Sequence, residues 1–461
     1  MKPINVGLLG LGTVGGGTLT VLRRNASEIT RRAGREIRVT MAAVRDLEKA
    51  RQFAENISLS PNSLPGGERD AGSLRESTIG ELAITTDPME VVNNPDIDIV
   101  VELIGGYTLS KDLVLKAIAN GKHVVTANKA LLAVHGNEIF KAAQDKGVMV
   151  AFEAAVAGGI PVIKALREGL SANRIEWIAG IINGTTNFIL SEMRDKGLAF
   201  DTVLAEAQKL GYAEADPTFD IEGIDAAHKL MIMSAIGFGI PMQFDKAYTE
   251  GISKLTKEDI TYAEQLGYRI KLLGMTRRTA TGIELRVHPC LIPASRLIAN
   301  VEGVMNAVLV KGDAVGVTMY YGRGAGAEPT ASAVVADLVD VTRMLTSDPE
   351  QRVPHLAFQP DALSNLPILP IADVQTSYYL RLKVFDKPGV LADVTRILAD
   401  LNISIDAMIQ KEPREGEELA DVILLTHLTV EKAVDQAIVK IEALPTISGK
   451  ITRIRLEELN A

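Results

Sequence analysis

Cysteine is nearly missing: Cys290 is the only one in 461 residues. No internal disulfide can form, and neither it nor the six histidines fall at the spacings a zinc site needs. That usage suits a reducing compartment, and a cytoplasmic location is expected. Long apolar runs are also missing. The stretch 97–104 is broken by Asp98 and Glu102 and falls far short of a bilayer-crossing length, so no membrane insertion is expected. The opening Met1-Lys2-Pro3-Ile4 passes straight into strand-like residues, without the charged segment, apolar core and cleavage site of a secretory leader. Positive charge is in deficit, with a formal net charge of −9. No basic stripe carries interleaved aromatics, so a nucleic-acid partner is not expected.

What is present is a globular balance of 47% hydrophobic and 23% charged residues, in a chain long enough for two to four compact units. Residues 1–150 alternate short apolar strands with amphipathic helix-length stretches, as a parallel sheet requires. The strands fall at 4–9, 37–44, 97–103, 123–127 and 148–152, and the polar, Gly/Pro-containing stretch 58–73 reads as an excursion from the sheet edge. Residues 151–345 mix helices and strands as an α+β domain. Five prolines between Pro349 and Pro370 mark 346–376 as a linker. Residues 377–461 follow the order β-α-β-β-α-β of a ferredoxin-like split βαβ unit. The expected fold is therefore α/β: a Rossmann-type parallel sheet, an α+β substrate and dimerisation domain, and a ferredoxin-like C-terminal domain.

The first strand leads into Gly10-Leu11-Gly12-Thr13-Val14-Gly15 at the start of a helix-length segment. Gly10 suits the tight turn, Gly12 lets the backbone approach a diphosphate, and Gly15 lets helix and strand pack closely. The diphosphate would sit on the helix N-terminus, where free N–H groups and the dipole favour an anion. The placement between strand and helix, more than the motif itself, separates dinucleotide binding from an ordinary glycine-rich turn. The second strand ends in Val44-Arg45-Asp46. An acid at this tip holds the ribose hydroxyls of NAD, whereas Arg45, with Lys49, would meet the 2′-phosphate of NADP. NADP is the expected cofactor, with NAD and a merely solvated Arg45 left open.

The densest polar stretch, 211–230, opens with Gly211-Tyr212 and contains Glu214, Asp216, Asp220, Glu222 and Asp225, five carboxylates suited to a cationic small-molecule ligand. Asp225 and Lys229 are four apart and share one helix face. Alone, such a pair is an ordinary surface ion pair. The Gly-Tyr and Asp-Pro turns and the apolar Leu230-Met231-Ile232-Met233 that follows point to a rim on a buried helix instead. A lysine beside carboxylates keeps its ammonium form, and can protonate the alkoxide formed when hydride adds to an aldehyde. Lys129 lies just beyond the C-terminal end of a parallel strand, the edge where open α/β sheets bind ligands; a surface lysine at a helix start is the alternative.

The glycine loop, Thr126-Ala127-Asn128-Lys129, 152–161 (Phe-Glu-Ala-Ala-Val-Ala-Gly-Gly-Ile-Pro), Asn183-Gly184-Thr185-Thr186-Asn187 and the 214–229 cluster together, in this order, resemble the homoserine dehydrogenase family over residues 4–340. The resemblance implies NAD(P)H-dependent reduction of L-aspartate 4-semialdehyde to L-homoserine, on the route to threonine, methionine and isoleucine. It implies Lys229 as proton donor, with Asp225 and Lys129 beside it in catalysis. Glu214, Asp225, Lys129 and the turn at Gly211 are implied to hold the substrate, and Lys129 to lie near the nicotinamide. Glu153 with the carbonyls of Val156, Gly158 and Ile160 is implied to bind a monovalent cation such as Na+; a tight turn is the local alternative. Gly322-Arg323-Gly324-Ala325-Gly326 resembles the segment where the family's chain returns to the cofactor, and places Gly326 there. The threonines Thr185 and Thr186 read as helix caps rather than catalytic groups. Residues 384–391, Val-Phe-Asp-Lys-Pro-Gly-Val-Leu, followed by Asn402-Ile403-Ser404-Ile405, resemble the opening of an ACT domain. That implies an amino-acid effector, L-threonine, and a homodimer or homotetramer, against the alternative of a domain serving only assembly.

Two rivals are weaker. A semialdehyde dehydrogenase working through a thioester needs a nucleophilic cysteine, and Cys290 lacks the expected motif. A non-catalytic nucleotide- and amino-acid-binding regulator would not need Glu214, Asp225 and Lys229 together.

Overall fold

The computed structural model describes residues 2–48, 50, 82–349, 352–411 and 418–460; the stretch 58–73 and Lys49 lie outside them. Strands β1 (Ile4–Leu9), β2 (Ile37–Ala43), β3 (Ala83–Thr85), β4 (Ile99–Glu102), β5 (His123–Thr126) and β6 (Val150–Ala151) form a sheet of order β3-β2-β1-β4-β5-β6. All its pairings are parallel. Side chains alternate across it. Leu9, Val100 and Val124 join one core with Leu113 and Leu131, while Leu8, Val101 and Val125 join the other with Val21 and Leu338. Both faces are therefore covered, which explains why the strands read as unbroken apolar runs. The helix Ala327–Met344, encoded at the end of the second domain, comes back to lie along the helix Thr13–Arg24. A Cβ on Gly17 would stand 2.5 Å from the Ala327 carbonyl oxygen, so the crossing depends on glycine.

The second sheet spans both remaining domains. In the second domain, β7 (Ile175–Ile181), β9 (Tyr268–Arg278), β10 (Ile283–Pro293), β11 (Met305–Gly312) and β12 (Gly316–Arg323) are joined by the short β8 (Tyr248–Thr249). The C-terminal domain adds β13 (Gln375–Phe385), β14 (Ile405–Gln410), β15 (Leu419–Thr426), β16 (Thr429–Val430) and β17 (Thr452–Leu456), with helices Val390–Asp400 and Glu431–Glu442. The order β12-β11-β7-β9-β10-β17-β13-β15-β14 runs without a break through both domains. The seam is a short parallel pairing, Cys290 with Arg455 and Leu291 with Leu456. The residues between the domains are packed rather than slack: His355 stacks on Phe140 with ring centroids 5.1 Å apart and accepts the Val150 N–H at 3.1 Å.

One face of the C-terminal sheet carries its own helices, through Tyr378, Leu380, Val394 and Val434. The other face sends Tyr379, Ile423, Leu425 and Ile454 into the core of the second domain. Polar groups pin this contact. Arg381 donates to Asp259 at 2.6 and 3.0 Å, Tyr379 Oη donates to the same carboxylate at 3.2 Å, and Asp259 is fully buried. At the seam, Arg455 is paired with Glu431 and with Glu250 of the second domain at 2.8 Å. Removing one partner of a buried pair leaves the other charge uncompensated. Arg381→Ala should therefore cost about 3–5 kcal/mol in urea unfolding followed by far-UV circular dichroism; a loss under about 1 kcal/mol would mean that water or another cation reaches Asp259.

Candidate active site

The order β3-β2-β1-β4-β5-β6 reverses direction between β1 and β4, and ligands of such sheets bind in the crevice beyond that switch point. Gly10 turns the chain out of β1 at a φ of +100°, and a Cβ on Gly15 would overlap the Gly10 carbonyl oxygen. Gly12 has open space around it, and the helix Thr13–Arg24 has no side-chain cap. Its first-turn N–H groups are thus available to an anion, with Leu11 and Val14 half-buried and Thr13 exposed beside them. Gly326 precedes the returning helix Ala327–Met344 at a φ of +127°, close to this loop because the two helices cross near Gly17. Arg45 is exposed just past β2.

At the same edge, the helix Lys129–Lys146 starts from β5, capped by Asn128, whose side chain accepts the Leu131 N–H at 3.1 Å. This brings Lys129 to the second domain. There the helix Ile224–Phe238 presents Asp225 and Lys229 on one face. Asp225 Oδ1 lies 3.1 Å from Lys129 Nζ. Its Oδ2 accepts from Lys229 Nζ at 2.7 Å and from Asn183 Nδ2 at 2.8 Å. Lys229 Nζ also donates to the Ile182 carbonyl at 2.8 Å. Burial opposes ionisation of Asp225, but the two ammonium groups and the Lys229 and Asn183 hydrogen bonds outweigh it and hold the carboxyl well below the usual range. The Lys129 side chain is 32% exposed and that of Lys229 11%, so Lys129 is the more open to the crevice. Asp220, also held by Asn183 at 2.7 Å, is pushed up by burial and by the neighbouring Asp225 charge. His228 packs on Phe244 with ring centroids 4.1 Å apart. Burial, then the Lys129 charge, push it down to about 4, so it is neutral near pH 7.

Glu214 and Gly211 are not drawn into this cluster. Both are exposed on the turn after the helix Phe200–Lys209, and the Glu214 side chain has no ion-pair partner among the described residues. The helix Gly184–Lys196 begins earlier than the threonine-cap expectation assumed: Asn183 is its cap and accepts the Thr186 N–H at 2.9 Å. Thr185 and Thr186 already lie in its first turn. Thr185 Oγ1 donates to the Tyr212 carbonyl at 2.7 Å, tying the turn that carries Gly211 and Glu214 to this helix. Sequence reasoning passed over Asn183 because an Asn-Gly pair reads first as a turn. It also passed over Glu102, a fully buried acid at the end of β4. Cys290 is fully buried and burial pushes its thiol far up, so it is not a nucleophile.

In the loop 152–161, Ala157 and Gly158 take positive φ values of 53° and 31°, which reverses the chain and turns successive carbonyls. The Glu153 carboxylate accepts the Ile163 and Lys164 N–H groups, each at 2.9 Å, and its own N–H donates to Asp337 at 2.8 Å. Burial, then the Glu153 charge, push Asp337 up to about 7. The described residues hold no cluster of three or more His, Cys, Asp or Glu suited to a metal. They do hold two buried acids beside a carbonyl-rich loop, a donor set that suits a hard monovalent cation better than a transition metal.

A dinucleotide crevice facing a lysine–aspartate–lysine cluster across two domains defines an NAD(P)-dependent oxidoreductase. Residues 10–153 match the family described as homoserine dehydrogenase, NAD binding domain, 161–339 match homoserine dehydrogenase, and 378–445 match the ACT domain. The chain is 64% identical over 460 residues to a homoserine dehydrogenase of Pseudomonas aeruginosa and 58% identical to that of Neisseria gonorrhoeae, in each case covering 100% of both chains. Its fold matches the crystal structure of a homoserine dehydrogenase from Thiobacillus denitrificans with a TM-score of 0.91 and 71% identity, over 100% of this chain and 99% of that one. The chain belongs to the homoserine dehydrogenase family.

Because the Asp225 carboxyl is depressed in the folded state, its ionisation stabilises the fold at any pH above the unfolded value of about 3.9. That contribution is lost as pH falls through the lower folded value. The stability gap between the native chain and Asp225→Asn should therefore be constant from pH 5 to 8 and narrow below pH 4 in urea melts; a gap that widened with acid would show that the cluster is not held by this carboxylate.

Proposed function

We propose that the chain interconverts L-aspartate 4-semialdehyde and L-homoserine in threonine, methionine and isoleucine biosynthesis. The observation that carries this is the Lys129–Asp225–Lys229 cluster around the buried Asp225 at the dinucleotide crevice. When bound, the nicotinamide supplies the hydride. Lys229 gives its proton to the carbonyl oxygen, and Asp225 with the Ile182 carbonyl aims the ammonium. Lys129 offers its charge from the crevice side. Glu214, unpaired on the rim, takes the substrate's ammonium group, and Gly211 shapes the turn that presents it. Alignment within near-attack distance supplies much of the rate.

The glycine loop 10–15, with Lys129 and Gly326, cradles the cofactor, and Arg45 beyond β2 meets a 2′-phosphate, so NADP(H) is preferred over NAD(H). A hyperthermophilic archaeal homoserine dehydrogenase, 26% identical with a TM-score of 0.59, is described in complex with NADPH. Glu153 and the carbonyls of Val156, Gly158 and Ile160 would hold a monovalent cation, Na+, that offsets the charge of the Glu153 carboxylate. The ACT domain would bind an amino-acid effector, L-threonine. The chain works as a homodimer or homotetramer, since β12 and β14 leave both edges of the long sheet open, and Tyr321 on β12 is 57% exposed. No helix among the described residues is long and apolar enough to cross a membrane, in keeping with a cytoplasmic enzyme.

Lys229→Ala should lower kcat for homoserine oxidation by at least about 100-fold while NADPH binding, followed by fluorescence, changes less than about twofold; full turnover would refute the assigned proton transfer. Steady-state rates with NAD and NADP, each with and without threonine, test the rest. Arg45→Ala should raise KM for NADP about tenfold and leave that for NAD unmoved. Equal use of both coenzymes would remove the NADP preference, and indifference to threonine the regulatory role.

A further inference from the structure

Glu102 is the last residue of β4, at the switch point between β1 and β4, and its side chain is fully buried. No lysine or arginine among the described residues forms an ion pair with it. Buried acids normally stand opposite a cation or are satisfied by several donors. Here three donors meet it. Oε1 accepts from the N–H groups of Ile104 and Gly105 at 3.0 and 3.1 Å, and Oε2 accepts from Thr126 Oγ1 at 2.7 Å.

The two oxygens act on opposite walls of the crevice. On one wall, the chain leaves β4 through Gly105 and Gly106, with φ values of +72° and +69°. Leu103 abuts Gly10, where a Cβ would stand 3.0 Å from the Leu103 carbonyl oxygen. On the other wall, Thr126 Oγ1 accepts the Asn128 N–H at 3.0 Å, and Asn128 Nδ2 reaches back to the Gly106 carbonyl at 2.6 Å. Asn128 also caps the helix whose first residue is Lys129. The hydrogen bonds thus close a ring: Glu102 to Thr126, Thr126 to Asn128, Asn128 to Gly106, and back through Gly105 to Glu102. We propose that Glu102 is a positioning residue, whose carboxylate joins the turn beside the glycine loop to the start of the Lys129 helix and so sets where the Lys129 ammonium stands against Asp225. It touches neither substrate nor cofactor in this role, and it acts through Lys129.

The chemistry of the side chain matters as well as its place. Burial pushes the Glu102 carboxyl up, while the donors from Thr126, Gly105 and Ile104 push it down; in its ionised form it accepts all three bonds and donates none. A glutamine of the same shape keeps one oxygen for the two backbone N–H groups but turns an NH2 toward Thr126, whose hydroxyl oxygen already receives the Asn128 N–H. The ring then has one donor too many, and the Thr126 proton must find another acceptor. The distortion falls at the step from Thr126 to Asn128, one residue from Lys129.

This inference rests on the proposed role of Lys129 in homoserine oxidation, and the test separates the two. Glu102→Gln is assayed with homoserine and NADP in the native chain and in Lys129→Ala. The expectation is that kcat falls about tenfold in the native background and less than about twofold in Lys129→Ala, because residues that act as one unit are not additive. Equal losses in the two backgrounds, or unchanged kcat, would overturn the positioning role of Glu102 alone. Full activity in Lys129→Ala would overturn the assignment of Lys129 and this inference with it. Thr126→Val cuts the ring at its next member without touching Glu102, and should give the same background-dependent loss should Glu102→Gln fail to fold; in that case equal Thr126→Val losses overturn the proposal.

Discussion

The ion pair on which the rest depends is the one that crosses the domains. Asp225 is buried and ionised because two ammonium groups meet it, one from each domain. With both taken away, a desolvated charge would be left in a low-dielectric pocket, at a cost of several kcal/mol; with one, Asp225 keeps the other as its partner. The geometry of both flanking helices follows from this. The helix Lys129–Lys146 has to begin where its first side chain reaches Asp225, and the helix Ile224–Phe238 has to be sunk deep enough to shield it, which its almost entirely buried length achieves. The cluster's more exposed lysine, Lys129, is the one open to the crevice.

The parts of this arrangement that were legible in the sequence are those whose chemistry forces a local signature. A strand meeting a helix over a diphosphate needs glycines at three positions, and Gly10, Gly12 and Gly15 stand there with the packing that the spacing implies. The i,i+4 relation of Asp225 to Lys229 survives as a direct contact. Expectations failed where the partner is remote. Asn183 displaced Thr185 and Thr186 as cap because the helix begins at Gly184, a boundary no residue type announces. Glu102 looked like an acid interrupting an apolar strand, since Thr126 and Asn128, which give it meaning, lie on the next strand and helix.

The relation between the second and C-terminal domains was also invisible. Prolines marked residues 346–376 as a connection, yet the domains share one sheet and a buried Arg381–Asp259 contact. Nothing in the alternation of β10 or β17 could have shown that they are neighbours, because pairing partners leave no imprint on each other's periodicity. The ACT domain thereby shares one continuous sheet with the second domain. Glu250, which meets Arg455 at the seam, is followed by Gly251 and Ile252, and Ile252 donates to the Ile221 carbonyl at 2.9 Å, three residues before the helix that holds Asp225 and Lys229.

The seam has a consequence during biosynthesis. Strand β10 is bordered on one side by β9, its immediate predecessor in the chain, and on the other by β8 at Arg286 and Val287 and by β17 at Cys290 and Leu291, the last strand of the C-terminal domain to be made. While the ribosome extends the intervening residues, the far side of β10 offers unpaired amides and carbonyls next to Leu291 and Ile292. Bare strands of this sort recruit strangers. The nascent chain thus carries an open stretch of strand at Cys290 and Leu291 until the last strand of the chain has been made.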